Sequence, residues 1–144
     1  MGLTIRCKKT NDEIDVSYFG FKRLRDKVSE LVGDDWNKHY LKLMDYFPSL
    51  DNSRDKEFYE EFDRETERLI GERKISAKVA DFLLQSDCVG SIHYGACKEI
   101  WEIVGNYNNN SLYGYKGSEK LVKFEDFKRV LRACVDKKCD MVWR

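Results

Sequence analysis

The residues with the most obvious chemical potential form one stretch, Gln85-Ser86-Asp87-Cys88-Val89-Gly90-Ser91-Ile92, with His93 and Cys97 just beyond it. Its spacing is that of the middle of a helix–loop–helix calcium loop, in which a glycine makes the bend and an isoleucine follows two residues later. With Gly90 in sixth place, Gln85 stands first, Asp87 third, Val89 fifth and Ala96 twelfth. Calcium needs several oxygens and a closing bidentate glutamate, and only Asp87 is a good ligand. The stretch therefore reads as a tight turn between helices, with Asp87 accepting from free backbone amides and Gly90 at positive φ. A second chemistry can be drawn from the same residues, with Cys88 or Cys97 as nucleophile, His93 as base and Asp87 as orienter. Nearness in sequence is not evidence for such a site, because its members normally come from distant segments.

The chain has five cysteines, an odd number, and its Met1–Cys7 start is too short and polar for a secretion signal. That combination points to reduced thiols and a cytoplasmic protein. None of the cysteines forms a C-x-x-C pair of the kind that marks zinc or redox sites. If the terminal segments pair as strands, Cys7 and Cys139 become neighbours with Cys134 near by. Cys97 and Cys134 fall on apolar helix faces, where a thiol acts as a small hydrophobe. The reading is of structural thiols, with no metal and no cofactor.

The acidic and basic residues of segment 54–68 alternate and read as a solvated helix face. His39 belongs to a surface or boundary position beside Trp36 and Tyr40. More suggestive are Tyr107, Tyr113 and Tyr115 in the Asn- and Gly-rich stretch 106–117. Tyrosines on an adaptable loop bring large contact area at low entropic cost, as recognition sites require. Alternatively, they fold back to cover the core.

These residues must be positioned by a chain of 144 residues, the size of one ordinary domain, with 42% hydrophobic residues to build a core. Its 26 basic and 26 acidic side chains cancel, and no basic excess suggests nucleic acid. No apolar run approaches the roughly 20 residues that span a bilayer. Leu3, Ile5 and Cys7 alternate with polar residues as a short strand, and Ile14-Asp15-Val16 suggests another. Helical periodicity then runs from Tyr18 to Gly33, and again from an Asp34/Asp35 cap through Trp36, Tyr40 and Phe47 to Pro48. Further helices are expected over 54–71 with Gly71 as the stop, from a Ser76 cap through Leu83, over Tyr94–Val104, and from Phe124 to about Lys138. Cys139, Met141 and Trp143 alternate as a terminal strand. The expected architecture is a single, mostly helical α+β domain over 1–144, with five or six helices and a small sheet made by the N- and C-terminal strands.

Three patches, Met1-Gly2-Leu3-Thr4-Ile5, Val16-Ser17-Tyr18-x-x-Phe21-x-x-Leu24-Arg25 and Ser86-Asp87-Cys88-x-Gly90-x-Ile92, resemble a loose group of small uncharacterised bacterial and phage proteins. Members typically begin Met-Gly-Leu-Asp-Ile and carry a His-Ser-Asp-Cys-Asp-Gly-Glu-Ile turn followed by a helix with a cysteine. Here Thr4, Gln85, Val89 and Ser91 replace the Asp, His, second Asp and Glu. The resemblance implies a bacterial or phage cytoplasmic protein and brings no activity with it. On these grounds the expected role is a non-enzymatic interaction or accessory protein with a protein partner, using Tyr107, Tyr113 and Tyr115. The alternative is a small thiol- or metal-dependent enzyme using Asp87, Cys88, His93 and Cys97.

Overall fold

A computed structural model describes residues 2–49, 51–114 and 121–144. Two strands open the chain, β1 (Gly2–Cys7) and β2 (Glu13–Ser17), followed by helices α1 (Tyr18–Val32), α2 (Asp34–Met44), α3 (Asn52–Gly71) and α4 (Ala77–Leu84). Then come β3 (Gly90–Ile92), α5 (Tyr94–Val104), β4 (Leu112–Tyr113), β5 (Val122–Lys123), α6 (Phe124–Lys137) and β6 (Met141–Trp143). The fold is α+β, as expected, and the chain's first and last strands do pair.

The main sheet has the order β2-β1-β6-β3, antiparallel throughout. Alternation in β1 turns Leu3, Ile5 and Cys7 to the core, and Ile14, Val16, Met141 and Trp143 do the same on neighbouring strands. That face lies against α6, whose stripe of Phe124, Phe127, Val130, Leu131 and Cys134 is fully buried. α5 packs on α6, α1 and α4 pack on α5, and α2 and α3 follow outward from α1. Among the described residues no helix is long and apolar enough to cross a membrane.

Several starts follow local capping chemistry. Ser17 Oγ accepts from the Gly20 amide at 2.9 Å, Ser76 Oγ from Val79 at 3.1 Å, and Asp126 accepts from the Lys123 amide at 2.8 Å. Some expectations are corrected. Asp34 and Asp35 are not caps but first-turn residues, where their charge still suits the helix dipole; Gly33, at φ +144°, is the cap. Helix α2 stops at Met44, so Phe47 falls outside its stripe and is 87% exposed. Part of the stretch expected as a loop is strand β3, because Ile92 opposite Met141 extends the buried alternation of β6.

Gly71 is the last residue of α3 rather than its stop. The left-handed turn that leads out of this helix is made by Arg73, at φ 60°. A non-glycine residue pays about 1–2 kcal/mol there. Arg73→Gly is expected to stabilise the protein by about 0.5–1 kcal/mol, after the extra chain entropy of glycine is subtracted. Urea unfolding should show a higher midpoint with an unchanged slope.

Candidate functional site

The turn at 85–92 is held from three directions. From α1, the buried Arg25 guanidinium donates to the carbonyls of Phe82 (3.2 Å) and Gln85 (2.7 Å) at the end of α4, and it pairs with Asp87. It also lies 4.8 Å above the Phe21 ring. Burial pushes this guanidinium below its ordinary pKa, while the Tyr40 and Asp26 charges oppose that shift. Within the turn, the Gln85 amide donates to Ser91 O (2.8 Å) and accepts from Ser91 N (3.2 Å). From the sheet, Trp143 Nε1 donates to Ser86 O at 3.0 Å. Asp87 was expected to hold backbone amides; instead it is the partner of a buried cation that arrives from a helix far away in sequence. Gly90 is not at positive φ. It is glycine because any Cβ there would overlap the Trp143 ring and crowd Gln85 Oε1.

The base and orienter drawn from this region are each engaged elsewhere. Asp87 faces Arg25 rather than an imidazole. His93 is the N-cap of α5: its Nδ1 accepts from the Gly95 amide at 3.2 Å, and its ring rests on Tyr94. Cys88 is exposed, whereas Cys97 is buried on α5.

The tyrosine segment folds back on the core. Tyr113 is buried and Tyr107 half-buried, and both rings pack on Phe124, with centroids 6.1 and 5.2 Å away. Asn109 Nδ2 donates to both hydroxyls, at 2.9 Å to Tyr107 and 2.8 Å to Tyr113. Lys128 from α6 holds the Gly105 and Tyr107 carbonyls at 2.9 and 2.8 Å. Tyr115 lies outside the described residues. Arg23 and Lys27 from α1 stand over the Tyr113 and Tyr107 rings, closing one side of a cavity of about 300 Å³. A hydrogen bond with Glu30 raises the Lys27 pKa, so its charge is secure. Beside this cavity Phe19 is 40% and Leu112 49% exposed, with Arg23 within reach of the Phe19 ring and of Leu112 O.

Two features were not read from the sequence as they stand. The first concerns the thiols: Cys7 and Cys139 are disulfide-bonded, so the reduced-thiol reading does not hold for them. The antiparallel β1–β6 register brings the two together, and an odd total does not prevent one bridge. The second is His39, which is buried rather than at a surface or boundary position. Its ring stacks on Phe62 with centroids 4.0 Å apart, and its Nε2 lies 2.8 Å from Thr66 Oγ1. Because the Thr66 hydroxyl donates to Phe62 O, its oxygen accepts, and the proton of a neutral His39 sits on Nε2. The cleft between α2 and α3 that this pair floors is also lined by Lys42, Phe58, Arg64 and Arg68 and measures about 510 Å³. No sequence signal marked it; the pairing depends on the packing of two helices.

Gly90→Ala should destabilise the protein by about 2 kcal/mol or more through overpacking against Trp143, measured by thermal or urea unfolding. Burial lowers the His39 pKa, so the unfolded chain binds this proton more readily than the folded one. The resulting stability is present above the ordinary histidine pKa and is lost as pH falls below it and through the lowered folded-state pKa. Unfolding free energies of wild type and His39→Gln, compared from pH 8 down to pH 5, should show a decline in wild type that the variant lacks. No family model, curated protein or solved structure matches the chain.

Proposed function

We propose that the chain is a non-enzymatic interaction protein, an accessory factor of the bacterial or phage cytoplasm. Its contact face is the outer side of α1 together with the Tyr107–Tyr113 segment. One observation supports this reading above others: Asn109 bridges the Tyr107 and Tyr113 hydroxyls, so the segment is locked before any partner arrives. A rigid segment loses little entropy on association. The lock leaves an arginine, an aromatic and an aliphatic side chain, Arg23, Phe19 and Leu112, side by side at the surface. This is the composition of interface anchors with a polar rim supplied by Ser111 and Glu30.

The tyrosines thus act as scaffold more than as contacts, and the residues to alter are their exposed neighbours. A photo-crosslinking side chain at Leu112, installed in the full chain in bacterial cells, should give one discrete adduct. The same group on the far side, at Glu67, should not. Arg23→Ala is expected to weaken the isolated complex about tenfold, roughly 1.4 kcal/mol. Equal adducts at both positions, or an unchanged affinity, would sink the proposal.

A second reading, thiol or metal chemistry, draws support from a different set of residues than Asp87, Cys88 and His93. Cys7, Cys134 and Cys139 lie together in the interior, and Cys97 is buried on the neighbouring helix α5.

A further inference from the structure

Cys7 ends β1, Cys134 lies in the last turn of α6, and Cys139 follows the turn into β6. Their three sulfurs all lie within 4.8 Å of one another, and all three residues are buried. Cys134 Sγ donates to Asp140 O at 3.8 Å, and Cys97, buried on the adjacent helix α5, is its neighbouring thiol. The α6–β6 turn is shaped to bring two of these groups to the same side. Lys138 is left-handed at φ 50°, and the Cys139 amide returns to Cys134 O at 3.1 Å. One disulfide uses only two sulfurs of the set, leaving Cys134 and Cys97 as free thiols beside it.

We propose that, when Cys7 and Cys139 are reduced, this cluster binds one soft divalent cation of the zinc type, with Cys7, Cys134 and Cys139 as ligands and Cys97 as the fourth. A tetrahedral ion with metal–sulfur bonds of about 2.3 Å holds its sulfurs roughly 3.8 Å apart, and the sulfurs of Cys7, Cys134 and Cys139 already lie within 4.8 Å of one another. Thiolate ligands select such ions over calcium or magnesium. The chain brings its ligands from β1, α5, the end of α6 and the turn after it. The ion would therefore tie the same chain ends that the disulfide ties. The two states exclude each other, because the disulfide consumes two ligands. A two-electron oxidant such as a diazene dicarboxamide takes two electrons from the thiolates of Cys7 and Cys139. The S–S bond forms, the oxidant takes up two protons to become its hydrazine, and the ion is released.

The test uses the full chain, reduced with a phosphine, desalted without oxygen and offered zinc or cobalt(II). One ion per chain is expected by elemental analysis, retained against a colorimetric chelating dye, and the cobalt form should show thiolate-to-cobalt charge transfer with tetrahedral d–d bands. Cys134→Ser and Cys97→Ser should each weaken retention at least tenfold, while Cys88→Ser, outside the cluster, should leave it unchanged. Because a core variant can fail to fold, the wild type supplies a second measurement. Adding the diazene should release the ion in step with a Cys7–Cys139 cross-link found by peptide mapping. Reduced wild type that takes up no ion, full retention by Cys134→Ser, or loss of retention in Cys88→Ser would each overturn the proposal. This inference is independent of the interaction face at Phe19, Arg23 and Leu112, which lies on other residues and is read by cross-linking rather than by metal content.

Discussion

The antiparallel pairing of β1 with β6 is the contact on which the rest depends. It opposes Ile5 to Trp143 and Cys7 to Met141, and so joins residues separated by nearly the whole chain. Such a pairing closes a loop of nearly the whole chain, which is entropically costly and slow to form. Once formed, it gives α6 a sheet to bury its stripe against, adds β3 to the far edge, and sets Trp143 in the middle of the core. The Trp143 ring meets Phe21 at 5.4 Å and Phe82 at 5.8 Å, and its indole N–H binds the turn at Ser86. Sheet, helices and turn therefore meet at one side chain.

The same constraint explains why the turn at 85–92 carries polar residues without being an ion loop. Its carbonyls and carboxylate serve a buried arginine and a tryptophan that come from opposite ends of the chain. A buried guanidinium is tolerable only when several acceptors meet it, and Phe82 O, Gln85 O and Asp87 supply them. The glycine keeps its place for space rather than for backbone freedom. The cysteines show the same logic in another form: strand pairing makes Cys7 and Cys139 neighbours across nearly the whole chain.

Most of the helices were legible because their signals are local. Phe124, Phe127, Val130, Leu131 and Cys134 recur at helical spacing, and Ser76 caps the helix that follows it. Alternation likewise marked Leu3, Ile5 and Cys7, and Met141 and Trp143. Less was legible where a short element borrows its character from a neighbour. Three residues at Gly90–Ile92 are a strand only because β6 lies beside them. Arg73 takes a left-handed turn although Gly71 stands two residues earlier.

The candidate sites divide along the same line. Residue types alone marked the tyrosine segment, the turn and the five thiols as places where chemistry was available, and periodicity built the elements that carry them. Which groups meet was decided by packing between distant elements. Arg25 finds Asp87, His39 finds Thr66, Asn109 finds two tyrosines, and Cys7 finds Cys139. Helix and strand preferences act over a few residues and are written in each segment. A buried polar group or thiol, by contrast, must be satisfied by whatever the fold delivers to it, and that is set only when the two ends of the chain close on the same core.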